Sequence, residues 1–176
     1  MALNWAIILG GIMTIIVEDG TGLLDAESLV SVIEARGIAA KWGYTLPAAD
    51  AELEVLLRKA FTYMDKYESA LSGYRTVSTQ SGIFPRTDCI TRAWAEVDAH
   101  TVPVPIKRAQ VRLAVEYSSQ ELDSTFSYGG VSSVTLTGVL SVSMNTDSKA
   151  GSVVVVREAV DLIRQYCYSV GGVIHA

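Results

Sequence analysis

Between Asp50 and Met64 the apolar residues Leu53, Leu56, Leu57, Ala60, Phe61 and Met64 return every three or four positions, the period of a helix that buries one face. The opposite side carries Glu52, Glu54, Arg58, Lys59, Asp65 and Lys66, a solvent-facing stripe in which Glu54 and Arg58 stand one turn apart. A second helix follows in "HTVPVPIKRAQVRLAVEYSSQEL". Pro103 and Pro105 restrict its entry, and Pro105 suits the first turn, where no amide is needed. Ile106, Ala109, Leu113, Ala114 and Tyr117 form its inward face, widened by Val111 and Val115, while Lys107, Arg108 and Arg112 lie on the outer side. Such a wide apolar surface predicts contact on more than one flank.

After Tyr128 the period changes to two. Val134, Leu136, Leu140, Val142 and Met144 alternate with Ser133, Thr135, Thr137, Ser141 and Ser143 around Gly138, which reads as one kinked strand or two strands with an apolar and a hydroxylated face. From Arg157, Ala159, Val160, Ile163 and Cys167 recover helical spacing, ahead of the tail "SVGGVIHA". The fold class expected is mainly α with a small β excursion, an α+β chain built as a compact helical bundle plus a β-hairpin or strand region. One domain over 1–176 accommodates this, with an apolar arm at 1–17, a helical core at 25–122, a β region at 131–156 and a terminal helix and tail at 157–176.

The amino-terminal part is less regular. "AIILGGIMTIIV", Ala6 to Val17, is too short to span a bilayer as a helix and is interrupted by Gly10 and Gly11. It reads as a buried strand, as a strand pair turning at the two glycines, or as an arm packed on a neighbouring chain. No basic residue precedes it and no cleavage pattern follows, so secretion is not expected; Met13 also qualifies as a natural start. In "EDGTG" the Asp19-Gly20 and Thr21-Gly22 pairs suit positive φ and predict a corner. Beyond it a helix is expected with Asp25 as N-cap, Glu27 in its first turn, Leu29, Val32 and Ile33 on one face, and Gly37 as its stop.

Chemistry is hard to place on this inventory. His100 and His175 have no partner at metal-ligand spacing, and Cys89 and Cys167 belong to no metal or redox motif, so neither a metal nor a cofactor is expected, and the default is a reduced chain, with a single long-range disulfide also open. "EDGTG" lacks the second carboxylate of an aspartic protease and the lysine of a phosphate loop. Cys89, in "PRTDCITRAW", would need His100 as its base and reads instead as a structural cysteine. No enzyme is expected. A formal net charge of −5 argues against gripping phosphates as the main task, although Arg86, Arg92, Lys107, Arg108 and Arg112, with Phe84 and Trp94 nearby, offer a local basic patch with stacking groups. Hydrophobic residues make up 49% of the chain and charged ones 19%, a balance that favours buried contact with other chains.

Taken in order, "MTIIVEDGTGLLDAESLVSVIEARG", "LLRKAFTYMDKY", "FPR", "VPIKRAQVRLAVEY", "GVLSVSM" and "REAVDLIRQYC" resemble the head-tail connector (adaptor) proteins of tailed bacteriophages, some of which carry the label DnaT-like single-stranded DNA-binding protein. Two departures stand out: Met1 to Ile12 precede the usual start, and Phe84 occupies a position more often held by Trp. The resemblance implies a subunit repeated as a ring, about twelve copies, beneath the portal of a virion assembled in the bacterial cytoplasm. Its partners would be itself, the portal protein, a tail or neck protein, and genomic DNA passing through without sequence recognition; no membrane is involved. On this basis Val170, Gly171, Gly172, Val173 and Ile174 are candidates for docking on the portal. Val134, Leu136, Leu140 and Val142 are candidates for contacts between subunits, and Lys107, Arg108 and Arg112 for facing DNA. The alternative is a single-stranded DNA-binding protein acting in phage DNA metabolism.

Overall fold

A computed structural model of the chain describes residues 15–119, 131–137, 139–144 and 157–167. In order it contains helix α1 (Val32–Trp42), helix α2 (Asp50–Met64), a 3₁₀ stretch (Asp65–Ala70), short strands β1 (Tyr74–Arg75) and β2 (Arg86–Thr87), helix α3 (Val104–Ser119), strands β3 (Val131–Thr137) and β4 (Val139–Met144), and helix α4 (Arg157–Arg164). The expected class, mainly helical with a small β part, is the one observed.

Helix α3 is the centre of the core. It packs against α2 on one side and α4 on the other, with α1 laid across more lightly. The predicted inward residues Ile106, Ala109, Leu113, Ala114 and Tyr117 are all buried, as is Val111. They meet Leu53, Leu56, Leu57, Ala60, Phe61 and Met64 from α2 and Ala159, Val160 and Ile163 from α4. The 3.6-residue period alone fixes these faces, because each helix has one stripe that water disfavours. Glu54 departs from the expected solvent stripe. It is buried, and its carboxylate lies 3.7 Å from Arg58, which also reaches Glu27 at 2.9 Å.

The first helix starts later than expected. Asp25 is exposed and Glu27 to Val30 are not helical; the N-cap is Ser31, whose hydroxyl accepts the Glu34 amide at 3.1 Å. The reason lies upstream. The Ile16 carbonyl accepts the amides of Glu27 and Ser28, and the Glu18 amide donates to Ser28 O at 2.8 Å, so this stretch is pinned to residues 16–18 before a helix can begin. Gly37 is interior to α1 and the stop is Gly43, at φ +70°. The register shift also turns Ile33 out to solvent and leaves Ala35 and Ala39 as the buried contacts.

The corner at "EDGTG" exists, with positive φ at Gly20 and Gly22. Its organiser is Glu18, which the sequence reading passed over. The buried carboxylate accepts the amides of Gly20 (2.9 Å), Gly22 (2.9 Å) and Leu23 (2.8 Å), satisfying three backbone donors with one side chain. Gly20 is required for a second reason: a Cβ there would sit 2.1 Å from the His100 carbonyl oxygen.

Residues 71–103 form an irregular cap. Strands β1 and β2 pair antiparallel, Tyr74 opposite Thr87 and Arg75 opposite Arg86. The Arg86 guanidinium is buried and donates to the carbonyls of Ser72, Ile83 and Gly73, while Phe84, fully buried after a turn with a cis Phe84-Pro85 bond, packs edge-on to Tyr166. Backbone bonds from Ser72 to Tyr166 O and from Arg92 to Gln165 O fasten the cap to the end of α4.

Strands β3 and β4 pair antiparallel, the two-strand form of the expected alternation. Val134 stands opposite Val142 and Leu136 opposite Leu140, with an irregularity between Val131 and Ser133.

Candidate nucleic-acid interface

The predicted DNA-facing residues of α3 are brought together and then neutralised. Lys107 Nζ lies 2.9 Å from Glu34 Oε1 on α1. Arg108 pairs with Glu158 on α4 and donates from Nε to the Tyr44 hydroxyl at 3.2 Å. Arg112 meets Glu116 one turn on, at 2.5 Å, and its Nε lies 3.1 Å from Glu158 Oε2 as a charge contact rather than an aligned hydrogen bond. Three cations on one helix face are thus held by carboxylates from three helices. Such a set clamps helices together; it has little charge left for phosphate.

Glu158 is the hub. Burial acts first and raises its carboxyl, but the Tyr44 hydroxyl, Arg108 and Arg112 outweigh it, so the group sits below the ordinary glutamate value. Tyr44 moves the other way: burial and its hydrogen bond to Glu158 raise the phenol, against a smaller opposing pull from Arg108.

An aromatic surface accompanies this clamp. The Arg108 guanidinium lies over the Trp42 indole, 3.3 Å from the ring centroid, and Arg112 lies 5.5 Å from that of Tyr44. Trp42 is the last residue of α1 and remains 53% exposed. Its neighbour Lys41 is exposed and has no ion pair among the described residues. Neither residue was singled out from the sequence; an aromatic beside a lysine just before Gly43 at a helix end was the available signal.

The other proposed basic patch does not assemble. Phe84 and Arg86 are buried inside the cap, which removes both from any ligand. Arg92 and Trp94 stay exposed on a tight turn closed by bonds from Thr91 N to Ala95 O and from Trp94 N to Thr91 O, with Trp94 at φ +60°. Asp88, Glu96 and Asp98 flank that turn along the chain.

The inter-subunit candidates Val134, Leu136, Leu140 and Val142 occupy two facing register pairs of the hairpin. The portal-docking candidates Val170, Gly171, Gly172, Val173 and Ile174 lie outside the described residues, as does most of the amino-terminal arm. Cys89 and Cys167 are buried, unpaired thiols; Cys89 sits 3.3 Å from the Ser72 hydroxyl, consistent with its structural reading. Among the described residues no group of three or more His, Cys, Asp or Glu is placed to hold a metal ion, and no helix is long and apolar enough to cross a membrane.

No curated protein and no solved structure matches this chain. A family does, over residues 13–175, beginning at the methionine that opens "MTIIVEDGTG". The chain therefore belongs to the family described as "Putative DnaT-like ssDNA binding protein".

Proposed function

We propose that this chain binds single-stranded DNA without turning it over, and does so more by base stacking than by phosphate neutralisation. The observation that carries the reading is the family membership, which spans nearly the whole chain and whose description is ssDNA binding. The charge arrangement sets the form that binding takes. Lys107, Arg108 and Arg112 are committed to Glu34, Glu116 and Glu158, whereas Lys41, Arg92 and Arg157 are exposed and outside any ion pair among the described residues. Each phosphate neutralised on a single strand contributes a slope of roughly −0.7 to log K against log salt, so these three cations support a slope no steeper than about −2.

Fluorescence anisotropy of a labelled oligo-dT of about 30 nucleotides, titrated with the full chain from low to moderate salt, tests this. Saturable binding with a shallow slope is expected. Absence of binding at low salt would overturn it, and a steep slope would overturn the stacking form.

A second reading rests on the resemblance of these segments, in their order, to phage head-tail connectors, together with the neutralised face of α3. A surface whose cations are already paired suits a subunit past which DNA slides. In this reading the hairpin residues Val134, Leu136, Leu140 and Val142 contact neighbouring copies in a ring of about twelve, and Val170 to Ile174 dock on a portal. Mass spectrometry of purified virions distinguishes it: a copy number near that of the portal supports the connector, and absence from virions removes it.

A further inference from the structure

We infer that the outer face of Trp42 is the platform on which a base of single-stranded DNA stacks; this rests on the single-stranded-DNA reading and gives it a site. Exposed tryptophans are costly in water, and two are described, Trp42 and Trp94, 53% and 82% exposed. Their surroundings differ in the way that matters to a nucleic acid.

Trp42 is backed on one side by the Arg108 guanidinium, 3.3 Å from its ring centroid. Arg108 is fixed in turn by the Tyr44 hydroxyl and Glu158, so the cation cannot leave the ring without breaking two contacts. A guanidinium held against one face of an indole restrains its rotation and leaves the remaining half-exposed surface as a preformed flat apolar step. Gly43, in the left-handed region, ends α1 immediately after the ring and keeps the following backbone turned away, with the Tyr44 amide returned to Ala39 O. Lys41, the residue before Trp42 on α1, is exposed and outside any ion pair among the described residues, and supplies the charge tested below.

The Trp94 turn offers the more exposed ring but the wrong field. Along the chain Arg92 stands between Asp88 and the pair Glu96 and Asp98, a local balance less favourable to a phosphate backbone than that around Trp42. The two rings therefore serve as test and control within one protein.

The experiment is oligo-dT binding by the full chain and by Trp42→Ala, Trp42→Phe, Lys41→Ala and Trp94→Ala, with circular dichroism and melting temperature recorded for each. Loss of a stacked base weakens single-strand binding by about 5- to 150-fold, which is the result expected for Trp42→Ala. Trp42→Phe keeps an aromatic face and should recover most of the affinity. Lys41→Ala should flatten the salt slope by roughly 0.7, and Trp94→Ala should bind like the parent chain. If the parent chain binds and folded Trp42→Ala binds equally well, or if Trp94→Ala is the variant that loses affinity, the inference is overturned while the single-stranded-DNA reading stands. If the parent chain does not bind, both fall.

Discussion

Gln110 is the residue whose loss the fold should feel most for its size. It is fully buried on α3, yet its amide makes three contacts, each at 2.9 Å: Oε1 accepts the Leu29 amide, and Nε2 donates to Ser28 Oγ and to Leu57 O on α2. One side chain thereby joins α3 to α2 and to the extended strip before α1. Gln110→Leu keeps the approximate volume and removes all three bonds. Ser28 is partly protected, because its hydroxyl still donates to Val30 O. The Leu29 amide is not, and a buried donor left without an acceptor costs about 1–3 kcal/mol. Adding about 1 kcal/mol for each of the two lost bonds and subtracting the gain from burying extra apolar surface leaves a net loss of about 2–4 kcal/mol. For a chain of this length that lowers the melting temperature by roughly 4–16 °C. Urea denaturation followed by circular dichroism, with a thermal scan, measures it. Gln110→Glu should fare no better, since it keeps the acceptor for Leu29 but loses both donors and buries a charge. A Gln110→Leu protein within about 0.5 kcal/mol of the parent would refute the claim that this amide organises the core.

Other positions give sharper contrasts. Gly20→Ala places a methyl 2.1 Å from the His100 carbonyl at φ +100° and should cost more than about 2 kcal/mol in a thermal melt, whereas Gly37→Ala, with open space inside α1, should stabilise by about 0.5–1 kcal/mol. Ser31→Ala removes the true cap and should cost about 1 kcal/mol, while Asp25→Ala should be near neutral; equal effects in parallel denaturation curves would contradict the α1 boundary. Glu158 has a folded pKa below its unfolded value of 4.5, so its contribution is present above that value and disappears as pH falls through the lower, folded one. Denaturation between about pH 6 and 3 should show this acid loss in the parent and a flatter profile in Glu158→Gln.

The long helices were legible because their chemistry is local. In α2 and α3 the apolar stripe repeats for three or more turns, and Pro105 marks an entry where no amide is needed, so period and position agree. The hairpin was legible for the same reason at period two, with Gly138 between the strands. The start of α1 was not. Asp25 and Gly37 carry the right chemistry for a cap and a stop, but the amides of Glu27 and Ser28 are taken by Ile16 O, a partner eleven or more residues away. Gln110 and Arg86 were missed in the same way: each is a polar side chain buried because groups distant in sequence converge on it, and composition does not announce convergence. Glu18 was missed for another reason: its partners, the amides of Gly20, Gly22 and Leu23, are local, but only the folded corner turns all three toward one carboxylate. Lys107, Arg108 and Arg112 share one side of α3; the Arg112–Glu116 pair is legible as a four-residue spacing, whereas Glu34 and Glu158 arrive from α1 and α4 and are not.

That quenching constrains any ligand at this face. For a phosphate to take Arg108 it must displace Glu158, and Glu158 is also the partner of Tyr44 and the charge neighbour of Arg112. The displaced carboxylate belongs to α4, whose Ala159, Val160 and Ile163 are buried in the core, so it has little freedom to move away from an incoming anion. Two negative groups would then compete for the same guanidinium in a partly exposed site, where their repulsion is less screened than in open water. The arginines are therefore more useful to the protein as backing for aromatic rings, Arg108 for Trp42 and Arg112 for Tyr44, and as the clamp on α4 than as phosphate ligands. Among the described residues, a nucleic acid meeting this surface finds a half-exposed ring next in sequence to the unpaired Lys41. Affinity built that way depends on the exposed base of the ligand, which a single strand presents and a stacked duplex does not, so competition by duplex DNA of equal length should be weak. Effective duplex competition in the anisotropy assay would show that backbone charge, and not the base, is what this surface recognises.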